Sequence, residues 1–157
     1  MDRIPSFSID HNKLIPGIYI SRIDNINGKN IYTYDVRFIR PNREQVMDTG
    51  TLHALEHLIA TYIRNDDFFK DRIVYFGPMG CRTGFYLIIA GESSYVDLRQ
   101  LLLDALNYVI HFTGKIPGAS PIECGNYTDM NLNGAKKYSE KFLNEVIIPF
   151  QNKDFSY

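Results

Sequence analysis

Between residues 31 and 39 apolar and polar positions alternate, with Tyr32, Tyr34, Val36 and Phe38 on one face and Thr33, Asp35 and Arg37 on the other. A period of two predicts a β-strand with one polar face. Residues 17–23 predict a strand before it, and Asp24-Asn25-Ile26-Asn27-Gly28 reads as the hairpin turn between them. Pro41-Asn42 ends the second strand, because proline has no N–H to give to the ladder. From residue 49 to 64 the period lengthens: Leu52, Leu55, Ile59, Tyr62 and Ile63 form a helical stripe, with Thr49 or Asp48 available as N-cap.

Short apolar runs at 73–76 and 85–90 predict two further strands around a rigid loop, Gly77-Pro78-Met79-Gly80-Cys81-Arg82-Thr83-Gly84. A second helix is predicted from about Ser94 to near Thr113-Gly114, with Val96, Leu98, Leu101, Leu102, Leu106, Val109 and Ile110 on its apolar face. Residues 115–129 read as a loop rich in Pro and Gly that carries Cys124, and a third helix is predicted over 135–148. Hairpins mixed with helices, without regular βαβ alternation, predict an α+β fold: an antiparallel sheet with helices packed on one face, a two-layer sandwich in one domain over 1–157. Residues 149–157 carry no functional signal.

Composition narrows the classes. Hydrophobic residues make up 45% and charged residues 22% of the 157 positions, values of an ordinary globular domain. The 17 basic and 18 acidic residues are interspersed, leaving no basic footprint for nucleic acid or an anionic membrane. The opening residues hold no apolar signal-peptide core, and no stretch reaches the ~18 apolar residues that span a bilayer, so a cytoplasmic location is expected. In a reducing cytosol Cys81 and Cys124 are expected as free or metal-bound thiols.

His53 and His57 are four apart on the first predicted helix, so both imidazoles can face one metal ion, with Glu56 on the adjacent edge. A solvated charged helix face would also account for them, but two of the chain's four histidines stand at ligand spacing around a carboxylate. A catalytic divalent ion usually takes three protein ligands. Cys124 is the leading third ligand, since its loop can fold over the helix and thiolate suits zinc or iron. A buried inert cysteine is the plainer reading of it. Cys81, in a tight loop between strands, is the other choice of ligand; alternatively, a nearby cation would lower its pKa and make it a proton carrier beside Glu56. His-x-x-Glu-His is also the inverted zinc-peptidase motif, and a purely structural metal domain is a third reading.

These residues resemble one family, the LuxS-type S-ribosylhomocysteine lyases of bacterial autoinducer synthesis and quorum sensing. Five segments carry the likeness in family order: Ser6-Phe7-Ser8-Ile9-Asp10-His11; Asp35-Val36-Arg37-Phe38 with Pro41-Asn42; Leu52-His53-Ala54-Leu55-Glu56-His57-Leu58; the 77–86 block, through Phe85-Tyr86; and Ile116-Pro117-Gly118-Ala119 leading to Cys124-Gly125. The helical motif alone is weakly specific, whereas Pro-Met-Gly-Cys-Arg-Thr-Gly is specific. The resemblance implies a homodimer with interfacial active sites. In each, His53, His57 and Cys124 hold a ferrous ion replaceable by zinc or cobalt, and Glu56 and Cys81 are the general acid/base pair. It further implies that Ser6, His11 and Arg37 lie around the substrate and that Arg64 meets its homocysteine end, while the plainer reading of Arg37 is an ion pair with Asp35 or Glu44. The implied reaction splits S-ribosylhomocysteine into homocysteine and 4,5-dihydroxy-2,3-pentanedione through two carbonyl migrations and a β-elimination. The chain departs from the family pattern at Tyr75, where an acidic residue is typical, and at Gly77, where serine is typical. The spacing from Arg64 to Cys81 is also shortened.

Overall fold

A hairpin opens the fold because Asn27 and Gly28 both take positive φ, 51° and 80°, the mirror-type turn whose twist matches that of the strands it joins. The computed structural model describes residues 8–157; Ser6 lies outside them. The turn joins β1 (Gly17–Ile26) to β2 (Lys29–Arg37), in a register that pairs Ile18 with Val36 and Tyr19 with Asp35. After α1 (Thr49–Ile63) come β3 (Ile73–Pro78) and β4 (Gly84–Ala90). Then follow α2 (Tyr95–His111) and α3 (Leu132–Phe142). The strands form one antiparallel sheet in the order β1-β2-β4-β3.

The helices pack on one face of that sheet, as the sequence predicts. Ile18, Tyr34, Val36, Phe76, Phe85, Leu87 and Ile89 meet Leu55, Leu58, Ile59 and Ile63 of α1, with α2 and α3 closing the same core through Leu98, Leu102, Ala135 and Phe142. Burying each large apolar side chain contributes about 1.5–3 kcal/mol, so this layer is what holds α1 against the sheet.

Several boundaries differ from the pattern-based reading, each for a local reason. β2 ends at Arg37, two residues before 39, because the N–H groups of Phe38 and Ile39 both donate to the Thr83 carbonyl at 3.0 Å. The polar face of β2 does not face water at its end: Asp35 is 1% and Arg37 3% exposed. α3 starts at Leu132, three residues early, since the Asn131 side chain accepts from the Gly134 N–H at 2.9 Å. Its far end widens into a π-helical turn, Leu143–Ile147, in place of regular helix to 148.

The segment over 149–157 straps the edge strand. The Ile20 N–H donates to the Phe155 carbonyl at 2.7 Å, and the Phe155 ring enters the core edge-on to Tyr34 at 5.4 Å. On the opposite sheet face, Tyr157 stacks on Tyr19 at 4.7 Å.

Candidate functional site

Asp48, not Thr49, caps α1: its carboxylate accepts from the Thr51 N–H at 2.8 Å and the Thr51 hydroxyl at 2.7 Å. With Leu52, Leu55, Leu58 and Ile59 turned into the core, the 3.6-residue period places His53, Glu56 and His57 at a half-buried edge. Their rings are fixed from the loop that follows α2. His53 Nδ1 donates to the Asp129 carbonyl at 2.8 Å and His57 Nδ1 to the Pro117 carbonyl at 2.7 Å. A carbonyl can only accept, so Nδ1 carries a proton in both rings, and in the neutral imidazole it is Nε2 that presents the lone pair.

Cys124 comes over from the same loop. Its N–H donates to Ser120 O at 3.0 Å, which turns the sulfur to within 3.3 Å of His53 Nε2. The Asn126 N–H points at that sulfur at 3.5 Å. One ligand atom each from His53, His57 and Cys124 lie within 4.8 Å of one another. Two ligands of a tetrahedral ion, one nitrogen and one sulfur, stand about 3.6 Å apart given ordinary bond lengths, so the donor set and its spacing suit one divalent ion with a position left open. Gly118 makes the approach feasible: it has φ +74°, and a Cβ there would lie 2.9 Å from His57 Nδ1. Glu56 joins no ion pair among the described residues.

A second cluster forms on the sheet face away from the helices. Arg37 sits between Gly17 and Gly84 in the strand register. A Cβ on Gly84 would lie 2.4 Å from the Val36 carbonyl, so only glycine permits this close pairing. The guanidinium holds Asp35 with two bonds, Nε to Oδ1 at 3.1 Å and Nη2 to Oδ2 at 2.5 Å. Its remaining nitrogen, Nη1, donates to Thr83 Oγ1 at 2.5 Å and faces Cys81 Sγ at 3.6 Å. Because guanidinium only donates, the Thr83 oxygen accepts there and its own proton is free for Cys81 Sγ, 3.1 Å away. Burial pushes the Cys81 thiol up, but the hydrogen bonds from Thr83 and the charge of Arg37 outweigh it and hold the thiol below its ordinary value. Burial pushes the Asp35 carboxyl above the usual carboxylate range against the pull of Arg37.

Of the remaining predicted site residues, His11 is half-buried, with Nδ1 against the Ile9 carbonyl at 2.9 Å, and it acts electrostatically on Asp35. Arg64 caps the end of α1 and donates to the carbonyls of Ile73 and Val74 on edge strand β3, at 3.4 and 3.2 Å. Among the described residues, no hydrogen bond or ion pair links the Cys81–Arg37 cluster to the His53–His57–Cys124 cluster. Tyr75 and Gly77 are not independent: a Cβ at position 77 would lie 2.0 Å from the Tyr75 hydroxyl, so the tyrosine ring occupies the space that a side chain at 77 would need.

The family described as S-ribosylhomocysteinase (LuxS) matches residues 4–153. The chain belongs to the LuxS family. It is 47% identical to the S-ribosylhomocysteine lyase of Clostridium beijerinckii over 157 residues, covering all of this chain and 99% of the relative. The lyase of Finegoldia magna is 49% identical over 146 residues, 93% of this chain and 92% of that one. That of Desulfotalea psychrophila is 46% identical over 157 residues, 100% and 99% of the two chains. Within this LuxS chain, sequence reasoning missed Thr83 as the link between Arg37 and Cys81, although it stands in the loop singled out for Cys81. It missed Gly118 as the glycine against His57 and Tyr157 as a partner of Asp35, for which spacing offers no signal.

Proposed function

We propose that the chain is a metal-dependent S-ribosylhomocysteine lyase, yielding homocysteine and 4,5-dihydroxy-2,3-pentanedione, the autoinducer precursor. The observation that carries this reading is the convergence of the His53, His57 and Cys124 ligand atoms within 4.8 Å, in a chain of the LuxS family. The family membership disfavours the inverted zinc-peptidase reading, and the tuned Cys81 thiol disfavours a purely structural metal domain.

In this reading His53, His57 and Cys124 hold one divalent ion, ferrous iron by preference, and zinc or cobalt also suit two imidazoles and a thiolate. A bound ion would act as a Lewis acid toward the substrate's carbonyl and hydroxyl oxygens. Cys81, its thiol held below the ordinary value by Thr83 and Arg37, takes a proton from one sugar carbon in its thiolate form and as thiol returns it to the neighbouring carbon. Glu56, at the edge of α1 between the two histidines, moves the protons of the sugar hydroxyls, and in the last step takes the proton from the carbon beside the carbonyl and delivers it to the homocysteine sulfur as the thioether C–S bond breaks. Atoms balance with neither water nor a redox equivalent consumed. Arg37 also presents positive charge at the Cys81 end, while Ser6, His11 and Arg64 are assigned to substrate contact.

Two copies of the chain form the working unit in this proposal, each lending one cluster to a shared site. Support comes from the two unlinked clusters and from apolar side chains in water near the ligand loop, Ile122 and Tyr127, 95% and 41% exposed. No helix among the described residues is long and apolar enough to cross a membrane, and the cytoplasm is the proposed location. The test is metal content measured beside thiol release from S-ribosylhomocysteine. Glu56→Gln and Cys81→Ala should keep the metal and lose turnover, whereas His57→Ala should lose both. Full turnover by Cys81→Ala would sink the assignment.

A further inference from the structure

The geometry points to Tyr157 as a positioning residue for the Cys81 thiol, acting through Asp35 and Arg37. Its consequence for turnover rests on the acid/base role proposed for Cys81. The Asp35 carboxylate is buried and must be fully engaged to be stable there. Arg37 engages both of its oxygens, and the Tyr157 hydroxyl donates a third bond to Oδ2 at 3.1 Å. Asp35 and Arg37 are two residues apart on one strand, so their mutual pairing alone leaves the couple free to tilt together. Tyr157 arrives from a different segment and is anchored independently, by its stack on Tyr19 and by the Ile20 N–H bond to Phe155.

The contacts then run in one line: Tyr157 to Asp35 at 3.1 Å, Asp35 to Arg37 at 2.5 Å, and Arg37 Nη1 on to Thr83 at 2.5 Å and Cys81 at 3.6 Å. A guanidinium is planar and rigid, so rotation of the fork on Asp35 displaces Nη1 at the thiol. The other titratable groups around this line are Tyr19 and His11, which face Asp35, and Tyr86, which faces Asp35, Arg37 and Cys81. Burial and the neighbouring Asp35 charge raise the Tyr157 phenol far above its ordinary value, so it remains a donor throughout the working pH range.

The test uses Tyr157→Phe in the metal-loaded protein, which keeps the ring on Tyr19 and removes only the hydroxyl. Iodoacetamide labelling of Cys81, separated from Cys124 by peptide mass spectrometry, is followed between about pH 5 and pH 10, where the thiolate alone reacts. The midpoint of the Cys81 profile should rise by about half a pH unit, a roughly threefold loss of thiolate at neutral pH. kcat should fall about as much while KM stays unchanged. An unchanged midpoint overturns the proposal, whatever happens to the melting temperature. On an Arg37→Lys background, where the fork is gone, Tyr157→Phe should shift the midpoint no further; an additive shift means that Tyr157 acts by another route and equally overturns it. Labelling needs no turnover, so failure of this inference is distinguishable from failure of the lyase assignment.

Discussion

The His53–His57–Cys124 cluster and the Cys81–Arg37 cluster lie on different sides of the sheet and are assembled by different means. Two candidate ligands of the first are four residues apart on α1, and the third comes from the loop whose carbonyls also accept the Nδ1 protons of those two. The second draws on residues 35, 37, 81, 83 and 157, three separate stretches of chain. Helix geometry brings two imidazoles to one face from local sequence alone and leaves only their ring orientation to the loop, whereas lowering a thiol against desolvation needs hydrogen bonds and a held charge that only packing supplies.

The largest expected effect tests whether the two clusters serve one site in trans. His57→Ala and Cys81→Ala chains are each expected to be inactive. Mixed in equal amounts and allowed to exchange, they should recover roughly a quarter of parental turnover, because half of random dimers are mixed and each mixed dimer has one complete site. Exchange proven by mass spectrometry without recovery would place both clusters in a single-chain site. Next, Gly118→Ala puts a methyl group 2.9 Å from His57 Nδ1 at a φ of +74°. Displacing the carbonyl that orients a ligating imidazole should weaken metal affinity by roughly 10–100-fold in a chelator competition, with Cys81 labelling unchanged.

Thr83→Val keeps the shape but removes the hydroxyl between Arg37 and Cys81. Since that hydroxyl helps hold the thiol low, its loss should raise the Cys81 labelling midpoint by about one pH unit and cut neutral-pH turnover about tenfold, with metal content intact. The smallest effect is expected for Asp48→Ala, which removes the N-cap of α1 and should cost about 1 kcal/mol in denaturant unfolding. The hydrogen bond from the Thr51 hydroxyl holds the Asp48 carboxyl below its usual range. Its contribution is therefore present above the unfolded pKa of about 3.9 and is lost as pH falls through the folded value.

What was readable in the chain follows the same division. Alternation at 31–39, short apolar runs between turn residues and helical stripes together located all four strands and three helices, because burying one face leaves an apolar pattern in the chain. It misjudged the end of β2, where the Thr83 carbonyl captures two N–H groups, and the start of α3, where Asn131 acts as a cap three residues early. Asp35 and Arg37 read as a polar strand face, with an ion pair between them as the plainer reading of Arg37; the pair forms, but buried and not in water. Alternation says which residues share a face but not what covers that face.

By itself, then, the sequence determined the hairpin, the helical ligand spacing, and through the 77–86 block the family. Those properties rest on contacts within a few residues, where backbone geometry allows few alternatives. The tertiary structure alone decided that Cys124 meets His53 and that Gly118 lies against His57. It also decided that Tyr157 reaches across the sheet edge to Asp35. Each depends on which segments the apolar core brings together, and residues 122 positions apart leave no periodic trace of their meeting.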